Sequence, residues 1–187
     1  MLPMDGAADG ACAACVRRTA RARPAKKAAA FTQLSAHPTA QALMGERFFW
    51  AADDGMTPLG NAVGKEVFPA FRTWRQHHPD GLALACLGEL LTRWNVEDAG
   101  WDVEDAAEVE RAVRWGLFDL ITRDDVVVAL AFAQLVLEGL VDGVVRKRAL
   151  QALVRQRQSS VVTARGWSRA EEWLRRSQAM QDVLSRA

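Results

Sequence analysis

The sequence predicts an all-α fold, a single compact domain of about seven helices around one buried central helix. Three observations carry this reading. Apolar residues recur at three- and four-residue intervals through most of residues 37–187, and strand-like alternation appears nowhere. The run Val126 to Leu137 is apolar except for Gln134; its twelve residues fall short of the roughly 20 that cross a membrane, and a helix without a polar face belongs at the centre of a bundle. Finally, 187 residues, 50% hydrophobic and 25% charged, suit one globular domain with a sizeable core, which excludes collagen-like, wholly disordered and disulfide-scaffold classes.

Along the chain, residues 1–35 read as a flexible, Ala-rich basic tail. Gly and Pro interrupt it, and Arg17, Arg18, Arg21, Arg23, Lys26 and Lys27 flank no apolar face, so the segment buries too little surface to offset its ordering entropy. It also lacks the apolar stretch of a secretory signal. The helical domain is expected over 36–187. A first short helix is read over Gln41 to Ala52, with Leu43, Met44 and Phe48 along one side, ended by Asp53-Asp54-Gly55. The second runs from Val63 to Gln76 with Val67, Phe68, Phe71 and Trp74 on one face, and Pro69 either kinks it or occupies its first turn.

Asp80 is the expected cap of a third helix, Leu82 to Trp94. The acidic stretch Val96 to Glu110, with seven acids, starts a helix that reaches Ile121, where carboxylates at the start complement the helix dipole. Thr122, or Asp124 and Asp125, then opens the central helix, and Gly139 closes it. Leu140 to Gln156 is amphipathic, with Arg146, Lys147, Arg148, Arg155 and Arg157 on the remaining surface. Ser168-Arg169-Ala170-Glu171 reads as a capping box that opens a last helix to Ser185.

Net charge is +1 but it is segregated. Residues 1–36 carry six Lys/Arg against Asp5 and Asp9, residues 37–142 eight against eighteen acids, and residues 143–187 ten against three. Such a distribution favours a domain that neutralises itself, or one with acidic and basic faces for different partners, over a uniformly basic nucleic-acid binder. The three cysteines, Cys12, Cys15 and Cys86, cannot all pair, which fits a reducing compartment. Cys12 and Cys15 have CxxC spacing, but no second pair of ligands accompanies them, and no strand precedes them as in a redox motif.

Histidine supplies no catalytic framework: His37 and His78 each precede a proline, and neither HExxH nor GxSxG is present. Gly64-Lys65 resembles the end of a phosphate loop, yet Leu59 and Glu66 stand where Gly and Ser/Thr are required. Trp74, Trp94 and Trp115 fall on or beside apolar helix faces and read as core rather than stacking platforms. The densest polar and aromatic grouping is Gly45 to Asp54. Glu46 and Trp50 stand four apart on one helix face, while Asp53 and Asp54 sit at a helix C-terminus, where the dipole disfavours negative charge. These four residues are candidate binding residues, with a capping turn as the alternative reading of the two aspartates.

The string His37-Pro38-Thr39-Ala40-Gln41-Ala42-Leu43-Met44, continuing to Arg47-Phe48-Phe49-Trp50, then Thr57-Pro58-Leu59-Gly60-Asn61 and Phe71-Arg72-Thr73-Trp74-Arg75, resembles the uncharacterised bacterial YfeS-like family. Ala131 to Gly139 followed by Val141-Asp142 is similar to that family's central helix and turn. The likeness covers about 37 to 157 and departs from the family's acidic Gly-Asn turn at Ala62 and Lys65. It implies a bacterial, cytoplasmic, helical protein and brings no established activity.

The expectation is therefore a non-enzymatic binding or regulatory protein of the adaptor or immunity-protein kind. Its acidic face would be built from Asp102, Glu104 and Asp105 or from Glu46, Asp53 and Asp54, and its partner would be a protein with a basic surface. The alternative is an enzyme or small-ligand binder with a pocket floored by Trp50 and rimmed by carboxylates. No catalytic residue, metal ligand or cofactor is assigned, nucleic acid is disfavoured by the acidic middle, and no membrane segment is expected.

Overall fold

The computed structural model, which describes residues 31–187, has seven α-helices and two short 3₁₀ helices, and one of the α-helices contains the apolar run read as central. The expected tail lies outside the described residues as far as position 30. Within the stretch read as tail, Phe31 is part of the core, buried with its ring 5.5 Å from Phe68. The next residues close a 3₁₀ turn, Gln33–Ser35, with a capping box from Thr32.

Helix α1, Pro38–Leu43, starts with proline at its first position, where no N–H is needed, and the His37 ring accepts from Thr39 N–H at 3.2 Å. The single helix expected over Gln41 to Ala52 is instead two pieces, α1 and the 3₁₀ turn Arg47–Trp50, separated by Met44, Gly45 and Glu46. A side chain explains the break: Trp50 Nε1 donates to the Met44 carbonyl at 2.9 Å, taking an acceptor that a continuing helix would have used.

Helix α2, Ala62–His77, is capped by Asn61, whose oxygen accepts from Gly64 N–H at 2.6 Å, and it buries Val67, Phe68, Phe71 and Trp74 as the spacing requires. Pro69 lies in its interior, not its first turn. Helix α3, Ala83–Arg93, starts after Leu82 with no side-chain cap, so Asp80 does not serve there. Arg75 organises that connection instead, donating from Nη1 to the carbonyls of His78, Pro79 and Gly81.

The largest difference from the sequence reading concerns α4, Ala106–Glu138. Asp105 caps it, accepting from Ala107 and Glu108 N–H at 3.0 Å each. No new helix opens at Thr122, Asp124 or Asp125. The helix is interrupted earlier, at Gly116 with φ −144° and ψ 31°, and then runs on to Glu138. Asp124 and Asp125 fail as caps because arginines hold their carboxylates, the buried Arg155 the first and the partly buried Arg165 the second. Gly139 ends α4 with φ 74°, and a Cβ there would collide with the His37 ring.

Asp142 caps α5, Gly143–Gln156, with bonds from Val144 and Val145 N–H. A single turn and a half, α6, Ser159–Ala164, leads to α7, Ala170–Arg186. The Ser168 capping box does not form: the cap position is Arg169, which turns outward to pair with Glu172 at 2.7 Å. The entry to α7 is set by Trp167, whose ring lies 4.1 Å from that of Trp173.

The second half of α4 is the axis of the molecule. Val126 to Ala133, Leu135 and Val136 are all buried, with α1, α2, α3, α5 and α6 packed around the helix and α7 lying on α5. Phe132 is fully buried, its ring 5.7 Å from that of Phe49. The first half of α4 leaves this core. It is held by a small separate cluster of Val109, Leu120 and Val161.

Candidate functional site

The grouping Glu46, Trp50, Asp53 and Asp54 does not converge on one pocket. Glu46 borders a cleft between α1 and α7 that neither Trp50 nor Asp53 lines, and it pairs with Arg175 at 2.7 Å. Trp50 turns its Nε1 inward to Met44 and packs against the core. Asp53 is 96% exposed and pairs with Lys65 at 3.0 Å. Asp54 accepts from Met56 N–H at 2.9 Å and from Arg176 at 2.6 Å. Burial pushes the Asp54 carboxyl upward, but the hydrogen bonds from Arg176 and from Met56 N–H outweigh it and hold the group below its ordinary value. Three of the four residues thus clasp α7 and the α2 start to the 46–54 segment.

Asp102, Glu104 and Asp105 also have work inside the fold. Gln151 of α5 donates to Asp102 at 3.4 Å and to Glu104 at 3.0 Å, the Glu104 carbonyl accepts from Gln158, and Asp105 is the cap of α4. Beneath them lies Arg155, expected on the surface and found with no exposed side-chain area. Its Nε and Nη2 bind both oxygens of Asp124, at 3.0 and 2.8 Å, and its Nη1 donates to the carbonyls of Trp101 and Val103. A buried guanidinium with every nitrogen engaged pins the 101–103 loop to α4 and α5.

Part of the segregated charge is consumed in this way. Arg148 pairs with Asp98, Arg155 with Asp124, Arg165 with Asp125, Arg175 with Glu46 and Arg176 with Asp54, each joining the basic C-terminal third to the acidic middle. Other acids take no part in any ion pair among the described residues, including Glu66, Asp80, Glu171 and Asp182 on the surface and the three carboxylates of Glu97, Glu108 and Asp119.

Those three carboxylates line one cleft of about 540 Å³, between the 97–103 loop and the first half of α4. Trp115 forms part of its wall and is 85% exposed, although its helical spacing reads as core. The reason is the interruption at Gly116, which takes this part of α4 away from the main core. Val103 and Leu120 add apolar lining, and Arg111 adds a cation at the mouth.

Arg123 forms another part of the wall, with only 7% of its side chain exposed. Its guanidinium lies over the Trp101 ring at 4.7 Å, and Nη1 donates to the Ala99 carbonyl. Gly100, at φ 67°, shapes this approach, since a Cβ there would stand 3.3 Å from Nη1. Nε and Nη2 have no hydrogen-bond acceptor; the nearest carboxylate, Asp124, is 3.6 Å from Nη2 and is already bound by Arg155. Burial lowers the pKa of Arg123 against the opposing pull of Asp124.

The sequence points to the acids of 96–110 but not to Trp115, Asp119 or Arg123 as their companions. One local signal was legible, a glycine directly after a tryptophan inside a helical pattern. Among the described residues no group of three His, Cys, Asp or Glu side chains is arranged to hold a metal ion, and no helix is long and apolar enough to cross a membrane. The CxxC pair at Cys12 and Cys15 lies outside the described residues. Cys86 is buried, and burial pushes its thiol up to about 12, the setting of an inert thiol rather than a nucleophile.

Comparison with protein families, with curated proteins and with solved structures finds no match for this chain. The resemblance to the YfeS-like family therefore rests on the motifs quoted above.

Proposed function

We propose that this chain is a non-enzymatic binding protein, adaptor-like in kind, that engages a basic segment of a protein partner through the cleft beside Trp115. A bacterial cytoplasm is the setting that the sequence resemblance suggests. The observation that carries the reading is the conjunction of an exposed tryptophan with three carboxylates, Glu97, Glu108 and Asp119, that have no ion-pair partner among the described residues. Single unpaired acids, such as Glu66, Asp80 and Glu171, also occur elsewhere on the surface, but this cleft gathers three unpaired acids around an apolar wall, an arrangement that favours a cation brought by another molecule. A tryptophan supplies the rigid apolar anchor typical of binding hot spots and can take a Lys or Arg against its face.

The acidic face assigned here lies next to Asp102, Glu104 and Asp105 but is not made of them, because those three hold α4 and α5 in place. The test is a titration with a decalysine peptide blocked at both ends, followed by tryptophan fluorescence. Binding is expected at low salt, weakening as ionic strength rises and screening shortens to about 8 Å at physiological salt. The fluorescence change should vanish in Trp115→Phe. Reversing Glu97, Glu108 and Asp119 to Lys together should abolish binding, whereas Glu171→Lys, an exposed acid on α7, should not. Equal binding by the triple reversal and the parent would overturn the proposal.

A further inference from the structure

We propose that the same cleft contains a carboxylate subsite at Arg123, so that its occupant is the free C-terminus of a basic peptide chain. This rests on the reading of the acidic cleft above and adds to it the end of the chain that the cleft accepts.

Two guanidinium groups, Arg123 and Arg155, share the single buried carboxylate of Asp124, and Arg155 holds both of its oxygens. Arg123 is left buried and charged, with two nitrogens shielded from solvent and lacking an acceptor. Such a group is costly unless something supplies the missing hydrogen bonds. A carboxylate suits it best, because two parallel N–H donors of a guanidinium match two carboxylate oxygens. Turning the guanidinium toward the cleft gives up the Nη1 bond to the Ala99 carbonyl and the stacking on Trp101, but no hydrogen bond from Nε or Nη2, to which a carboxylate in the cleft would supply acceptors.

The rim sets the second requirement. Glu97, Glu108 and Asp119 outnumber Arg111 in the lining and together repel a simple anion on its way to Arg123, so a carboxylate carried by a positively charged molecule is favoured. A peptide ending in Lys or Arg meets both conditions: its terminal carboxylate reaches the arginine, its side-chain cations meet the rim, and its aliphatic stems lie along Trp115 and Leu120.

The test compares two N-acetylated trilysine peptides by calorimetric titration against the full-length protein, one with a free terminal carboxylate and one ending in a carboxamide. Rim electrostatics alone makes the carboxamide the tighter ligand, because it carries one more net positive charge. The subsite reverses that order, and the free acid should bind about tenfold or more tightly, the range expected for a charge-assisted hydrogen-bonded pair. In Arg123→Gln, checked for folding by circular dichroism, the preference should disappear while the carboxamide binds as before. Should that variant not fold, the comparison in the parent protein decides the question alone. Equal affinities, or a tighter carboxamide, overturn the subsite and leave the acidic-cleft reading standing. If neither trilysine peptide binds at low salt, the subsite falls, and the acidic-cleft reading falls with it only if decalysine also fails to bind.

Discussion

Arg155 is bound to a residue 31 positions earlier in the chain, and no local pattern in either neighbourhood announces the pair. On a helical wheel Arg155 is one of several arginines of α5; only the approach of α4 makes it the partner of Asp124. Truncating it strands a buried carboxylate, so Arg155→Ala should cost about 3–5 kcal/mol in denaturant-induced unfolding. A mutant that unfolds with the parent would show that water replaces the guanidinium there. Phe132→Ala should cost a similar amount, about 3–5 kcal/mol, for a different reason, an emptied aromatic site against Phe49.

Asp54 adds a dependence on pH. Its folded pKa is held below its unfolded value, so the stability it contributes is present above about pH 4, the ordinary range of an aspartate, and is lost as pH falls through the depressed value. Asp54→Asn should therefore be less stable than the parent at neutral pH and should lose less on acidification. Parallel curves for the two proteins between pH 5 and pH 2 would contradict the assignment.

At the scale of elements, the helices that were legible are those whose apolar spacing and breakers agree. Helix α2 has Asn61 at its start and a clean buried face, and Gly139 ends α4 where its αL conformation is needed. Boundaries drifted where a polar residue of helix-opening type was claimed by a distant partner. Asp124 and Asp125 would open a helix in isolation, yet arginines from α5 and the α6–α7 turn take them into the interior of α4. Asp105 behaves as its type predicts, because nothing competes for it. Asp105→Ala should thus lower stability by about 1 kcal/mol through loss of the cap, measured as a shift in the unfolding midpoint at constant m-value. The result also bears on the acidic face, since any charge reversal that includes Asp105 confounds binding with the integrity of α4.

For the whole molecule, the acidic middle and the basic C-terminal third meet face to face, and five arginine–carboxylate pairs connect them. Part of the bipolar charge thus serves to assemble the fold, and three of the acids it leaves unpaired gather in the cleft. The N-terminal limit of the domain can be tested in the same terms. Phe31 packs on Phe68, so a deletion of residues 1–34 should lose about 1 kcal/mol or more relative to a deletion that stops at residue 30, as expected for removing a buried aromatic ring. Identical melting of the two truncations would show that Phe31 adds nothing to the core.

Sequence alone determined the all-helical class, the identity of the central run and the apolar faces of α2 and α3, because these follow from short-range periodicity that every residue in a helix must obey. It also exposed the acidic segment and the two basic ends. Only the tertiary structure decided which charges are spent and which remain. Glu46 and Asp54 look available in the sequence and are taken by α7, while Glu97, Glu108 and Asp119, unremarkable one by one, are brought together unpaired beside Trp115. A carboxylate's role depends on which cation lies within about 4 Å of it, and that distance is set by the packing of helices far apart in the chain, which local spacing does not encode.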